Sequence, residues 1–181
     1  MSLIFNGYFV TRAVRMAAAF GALLALSACV ESETPILTDA KPLLGERIRL
    51  RLYSLRESGA YDPQAVRFRW DGTRYVNAGG SKDFTNFTIH AFEGADLIAQ
   101  NFGKRIEYGL VRKLASGVFL VIPIDESDAD EAARTKFCRK LSGSSCRVES
   151  KDDLFALARA TAAKPHDHGG LAIQLGAKQR P

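Results

Sequence analysis

Cysteine is scarce, with three in 181 residues, at Cys29, Cys138 and Cys146. Seven residues separate the last two, which matches neither a Cys-x-x-Cys redox motif nor common zinc-ligand spacing. The chain also lacks a Gly-x-Ser-x-Gly elbow, a phosphate-binding Gly-rich loop and a His-Glu-x-x-His helix. Local signatures for acyl transfer, nucleotide hydrolysis and zinc proteolysis are therefore missing. The apolar stretch 16–26 falls short of the roughly 20 residues that a membrane-spanning helix needs. No low-complexity tract occurs, and with 46% hydrophobic and 25% charged residues the composition is that of a globular protein.

Charge of one sign is in modest excess. The formal +5 includes Arg12 and Arg15 in a leader without acidic residues; beyond residue 28 the balance is 23 basic against 20 acidic, or +3. So small a surplus gives no bulk field for nucleic acid.

The leader has the layout of an export signal: basic residues up to Arg15, the apolar stretch rich in Ala and Leu, then small residues before Cys29. Leu26-Ser27-Ala28-Cys29 resembles the lipobox of bacterial lipoproteins. The resemblance implies cleavage before Cys29 and acylation of its thiol by fatty chains, palmitate among them. Each buried methylene contributes about 0.8 kcal/mol, and stable anchoring takes more than one chain, a condition that a diacyl or triacyl cysteine meets. No Arg-Arg pair precedes the apolar stretch, which favours general secretion over twin-arginine export. Val30 rather than Asp follows the cysteine, and by resemblance to proteobacterial sorting this implies the outer membrane, with the domain facing the periplasm. Once Cys29 carries lipid, Cys138 and Cys146 remain as an even pair in an oxidising compartment, where a disulfide is expected.

Removing 28 residues leaves 153, the size of one domain. Residues 30–45 contain Glu31, Ser32, Glu33, Thr34, Pro35 and Pro42 without periodicity and read as a tether. Sixteen extended residues would reach about 50 to 58 Å. The expected organisation is a cleaved leader over 1–28, a lipidated cysteine and tether over 29–45, one globular domain over 46–175 and a loose tail over 176–181.

Within the domain, period-two alternation dominates. Ile48, Leu50 and Leu52 point one way while Arg47, Arg49 and Arg51 point the other. Residues 66–70 repeat the pattern, and Asp71-Gly72 suits a two-residue type I′ hairpin returning over 73–77. Further strands are expected over 84–92, 95–102, 105–113 and 118–124. Helical signals come later: Ser127 ahead of an acidic start and a basic end near Cys138, then Ser150 and Asp153 in a capping-box-like start followed by Leu154, Leu157, Ala158 and Thr161 along one face. Residues 171–175 read as a last strand. The expected class is α+β: an antiparallel meander of about seven strands, barrel-like and lipocalin-like in shape if it closes, then two helices and a final short strand.

Candidate sites follow from that pattern. A two-residue turn would set Arg69 opposite Arg74, with Arg67 on the same face, and like charges across a sheet are unfavourable unless neutralised. Arg67, Arg69 and Arg74 are thus candidate anion-binding residues for anionic lipid, lipopolysaccharide or a cell-wall component, with Glu46 or Glu57 as the alternative neutralising groups. Phe68, Trp70 and Tyr75 suit core packing, or the lining of a cavity. His166-Asp167-His168 sits in a Pro/Gly-bounded loop and His90 in a strand; neither makes a metal or catalytic site on its own, and no cofactor is expected. The function expected is a noncatalytic binding or structural role for an anchored envelope lipoprotein. The alternatives are a barrel-like carrier of a small apolar or amphiphilic ligand and a periplasmic hydrolase or metalloenzyme.

Overall fold

The computed structural model describes residues 30–54, 65–79, 84–140, 146–165 and 169–176. The leader, Cys29, Glu57, the His166-Asp167-His168 loop and residues 177–181 lie outside them.

Seven strands follow one another with antiparallel pairing: β2 (Arg47–Ser54), β3 (Ala65–Trp70), β4 (Tyr75–Asn77), β5 (Asn86–Ala91), β6 (Leu97–Phe102), β7 (Ile106–Ala115) and β8 (Val118–Pro123). A late strand, β11 (Gly170–Gln174), lies between β8 and β2 and closes an eight-strand antiparallel barrel. Three short strands extend the sheet: β1 (Val30–Ser32), β9 (Arg139–Lys140) and β10 (Cys146–Arg147). β1 pairs antiparallel with β7, beyond the end of β8, and parallel with β10, on which β9 folds back. The meander expected from the sequence is present, and its sheet grows to eleven strands.

Alternation explains the barrel wall. On β3, Val66 and Phe68 are buried while Arg67 and Arg69 are exposed; Ile48 and Leu50 do the same on β2. Inward side chains from all round the circuit, Phe68, Phe87, Ala99, Val111, Phe119 and Ala172 among them, make one core. On β5 to β7 the alternation disappears, because the outer face is covered as well. Ile98, Leu110 and Ile122 point out of the barrel into a second core with Leu154, Leu157 and Ala158 of α2 (Lys151–Ala162). α2 starts where Ser150 accepts from the Asp153 N–H, which satisfies one of the free donors of its first turn. The preceding helix is shorter than its sequence signals indicate. Asp125 caps a single 3-10 turn, Glu126–Asp128, and Asp130 rather than Ser127 caps α1 (Glu131–Phe137). The sulfurs of Cys138 and Cys146 lie 2.08 Å apart, at disulfide distance, beside the paired strands β9 and β10.

Two expectations need correction. Residues 30–45 do not form a free tether: Val30 is 0% exposed, and Leu37 is buried. The Gln100 side chain, 1% exposed, acts as a substitute strand, since its amide oxygen accepts from Leu37 N and its amide nitrogen donates to Leu37 O. A buried amide satisfied at both ends fixes a segment that composition marks as loose. The β3–β4 turn has four residues, not two, with Trp70 opposite Tyr75 and Arg69 opposite Val76. Asp71 explains this. Its Oδ1 accepts from the backbone N–H groups of Thr73 and Arg74 at 2.9 Å each, an Asx-type arrangement that stabilises the longer turn, and these bonds hold its carboxyl near pKa 2.

Glycine is required where the chain enters β11. Gly169 has φ +126°, and a Cβ there would meet the Val121 carbonyl oxygen at 2.6 Å, whereas at Gly72, φ +105°, a Cβ meets nothing within 4 Å. Both Ala substitutions carry backbone strain of about 1–3 kcal/mol, and only Gly169→Ala adds a clash with main chain. Urea denaturation should show Gly169→Ala less stable than Gly72→Ala by at least about 1 kcal/mol; equal costs would contradict the close approach of β11 to β8.

Candidate functional site

The outer faces of β2 and β3 form a wall of arginine. The register sets Arg47 directly opposite Arg69 and Arg49 directly opposite Arg67, with Arg51 one step further along β2. All five are exposed. Directly opposed residues have Cβ atoms about 4.5–5.5 Å apart, where like charges repel. Among the described residues none of the five has a carboxylate at ion-pair distance. The contrast with arginines elsewhere is clear: Arg74, Arg105, Arg112, Arg139, Arg147 and Arg159 pair with Asp71, Glu31, Asp96, Glu149, Glu33 and Glu93. Glu46, exposed beside Arg47, makes no salt bridge with the wall.

Of the three arginines singled out in the sequence, Arg67 and Arg69 therefore belong to one face, and Arg74 does not. The four-residue turn moves Arg74 off the Arg69 rung; it sits 3.8 Å from Asp71 and over the Phe102 ring. The missed members, Arg47, Arg49 and Arg51, lie in the same alternating run as Ile48 and Leu50. Finding them required knowing that β2 pairs with β3, a pairing across ten intervening residues that local pattern does not fix. On the far side of β2 the wall borders half-buried apolar side chains of β11, with Leu171 opposite Tyr53 and Ile173 opposite Arg51.

The barrel interior is largely filled by core side chains. An apolar cavity of about 80 Å³ lies among Leu44, Leu50, Phe68, Phe87, Val111 and Phe119, well below the roughly 300–1,000 Å³ of small-molecule sites. Leu44 closes one end. Tyr75 OH accepts from Leu44 N and donates to Gly45 O, and Gln174 Nε2 donates to Leu44 O. Trp70 packs edge-on against Tyr75, and Tyr75 stacks on Phe87, so the hairpin aromatics serve packing.

A cleft of about 340 Å³ outside the barrel lies between the 36–43 segment and the start of α2, lined by Asp39, Lys41, His90, Lys151 and Phe155 among others. His90, the one histidine among the described residues, bonds Thr88 Oγ1 through Nε2 at 2.8 Å. Burial lowers its pKa to about 4, with Asp39 opposing and Lys151 reinforcing the shift. It is a neutral structural group at neutral pH. At the edge of the barrel, Glu107 faces Glu31 across β1 and β7; burial and the Glu31 charge raise its pKa, while Arg105 pairs with Glu31. One potential metal-ligand group occurs among the described residues, Glu126 with Cys138 and Cys146, and both its sulfurs are at disulfide distance from each other. No helix among the described residues is long and apolar enough to cross a membrane.

No protein-family model, curated protein or solved structure matches the chain.

The His90 environment gives a pH prediction. A histidine whose folded pKa lies below its unfolded value contributes its full stability above the unfolded value, and that contribution is lost as pH falls toward the folded one. The window runs from about 6.5 to about 4, and a shift of that size corresponds to about 3 kcal/mol. The stability advantage of wild type over His90→Gln, measured by urea denaturation, should shrink on acidification through this window. A gap that stays constant from pH 7 to 4 would contradict the burial of a neutral imidazole.

Proposed function

We propose that this chain is a lipid-anchored envelope protein that acts by binding, and that its arginine wall takes the phosphate or carboxylate groups of an anionic envelope component such as lipopolysaccharide, lipid headgroups or cell-wall peptide. One observation carries the reading: two directly opposed arginine pairs on β2 and β3 without a carboxylate among the described residues. In water, two unit charges about 5 Å apart repel by roughly 1 kcal/mol. An anion placed between them reverses that sign, and the planar guanidinium fork matches phosphate and carboxylate geometry. The lipobox supplies the location, since Cys29 acylation would hold the domain at the periplasmic face of the outer membrane.

The closed barrel also suits the carrier alternative, and the apolar lining of its void is what favours that second reading. At about 80 Å³ the void has room for only a few heavy atoms, which limits any cargo unless the barrel expands.

Arg49→Glu combined with Arg67→Glu tests the wall. Both side chains are exposed, so the fold should persist, as far-UV circular dichroism would register. Binding to purified lipopolysaccharide should weaken at least tenfold, and wild-type affinity should fall steeply between low and physiological salt. Affinity that ignores both the charge reversal and the salt would rule the wall out as the binding face.

A further inference from the structure

The cleft outside the barrel, about 340 Å³ in volume, contains a hydrogen-bond donor that the protein itself does not use. Its direction is set by Gln100. The Leu37 peptide fixes that amide, whose oxygen accepts from Leu37 N and whose nitrogen donates to Leu37 O. The second N–H of the same nitrogen goes to Thr88 Oγ1 at 3.3 Å. Thr88, 3% exposed, has one other side-chain partner among the described residues, His90 Nε2. A buried hydroxyl needs an acceptor for its proton, so Thr88 donates to Nε2, and the ring proton of neutral His90 sits on Nδ1. Nδ1 has no partner among the described residues, and unlike Thr85 Oγ1 or Asp128 Oδ2 it is not sealed off. His90 is 5% exposed and lines the cleft, so Nδ1–H is presented to it.

The charges around the cleft stay apart. Asp39 and Lys41 come from the segment that Gln100 clamps, and Lys151 is the first residue of α2. Asp39 and Lys151 are near enough to the His90 ring for their charges to shift its pKa in opposite directions. Among the described residues none of the three has an ion-pair partner, since every ion pair there is made by an arginine. The Lys151 ammonium lies 5.1 Å from the centre of the Phe155 ring, which Phe92 holds edge-on. The cleft therefore combines a neutral N–H donor, two ammonium groups, one carboxylate and an apolar side made by Ile36 and Phe155. An anion alone would be repelled by Asp39, and a cation alone by the lysines. A ligand bearing both charges is attracted by all of them, and the volume falls at the lower end of the range for small-molecule sites.

We infer that this cleft binds a small zwitterion, an α-amino acid or dipeptide with apolar side chains, its carboxylate held by His90 Nδ1–H, Lys41 and Lys151 and its ammonium by Asp39. The inference rests neither on the arginine wall nor on acylation of Cys29. His90 belongs to β5, two strands away from β3 around the barrel, so the two binding faces are separate.

Isothermal titration calorimetry of the full chain in detergent, with L-leucine and L-leucyl-L-leucine as probes, tests it. At least one probe should bind with Kd below about 1 mM, and N-acetylation or C-amidation of that probe should each weaken binding by about tenfold or more. Asp39, Lys41 and Lys151 are exposed, so their variants should fold. Asp39→Asn should remove the penalty of N-acetylation, and Lys41→Gln with Lys151→Gln the penalty of amidation. Arg49→Glu with Arg67→Glu should leave the affinity unchanged. Failure of both probes to bind, free and blocked probes that bind alike, or penalties that persist in these variants would each overturn the inference. So would an N-acetylated probe that binds more tightly than the free one, which would make the cleft a site for simple carboxylates.

Discussion

Closure of the barrel by β11 is the constraint on which the other features depend. The last strand returns to lie between β2 and β8, and its consecutive amides bond opposite neighbours: Gln174 N donates to Gly117 O and Leu175 N to Arg49 O, each at 2.7 Å. With both ladders made, the circuit has no open edge to template association. Sidedness then becomes strict. Residues alternate between a dry core and the outside, so a strand with Ile48 and Leu50 inside must carry Arg47, Arg49 and Arg51 outside. The arginine wall is thus a consequence of closure and register, and a slip of one residue would put guanidinium groups into an apolar core.

Closure also separates two sides of the molecule. Around the eight strands, β3 stands four places from β7 in either direction. The β7 side carries α2, the chain around Val30, Ile36 and Leu37, and the Cys138–Cys146 pair, which bury its outer face. Arg112 ties this side together, reaching Asp96 in the β5–β6 connection and the Ala162 carbonyl at the end of α2. Among the described residues, nothing packs over the arginines of β2 and β3, and this side is cationic. One face is thus occupied by the protein's own elements, and the opposite face carries arginines without a carboxylate partner among the described residues.

Much of the barrel was legible in the sequence because its signal is local. Period-two alternation marked β2 and β3, turn residues bounded the other meander strands, and the Leu171 to Leu175 run marked the strand that closes them. Ser150 with Leu154, Leu157 and Ala158 marked α2. What was illegible depends on distant partners. β1 has three residues, Val30-Glu31-Ser32, all buried, too few to show a period; it exists because β7 projects beyond β8 and β10 offers a second edge. The Gln100 clamp on Leu37 joins residues 63 apart. The hairpin register failed for a different reason: Asp-Gly suits both a two-residue and a four-residue turn, and the side-chain bonds of Asp71 decide between them. That shift put Val76 in place of Arg74 opposite Arg69 on β4, while Arg47 faces Arg69 from β2, so the existence of a basic face was readable while its membership was not.

Amide hydrogen exchange across β11 tests closure most directly. In a strand bonded on both sides, every amide from Leu171 to Leu175 should exchange slowly, at rates close to those of the inner strands. If one ladder is missing, alternate amides face solvent, and rapid exchange at every second position of β11 would contradict the closed barrel and, with it, the enforced outward placement of the arginines.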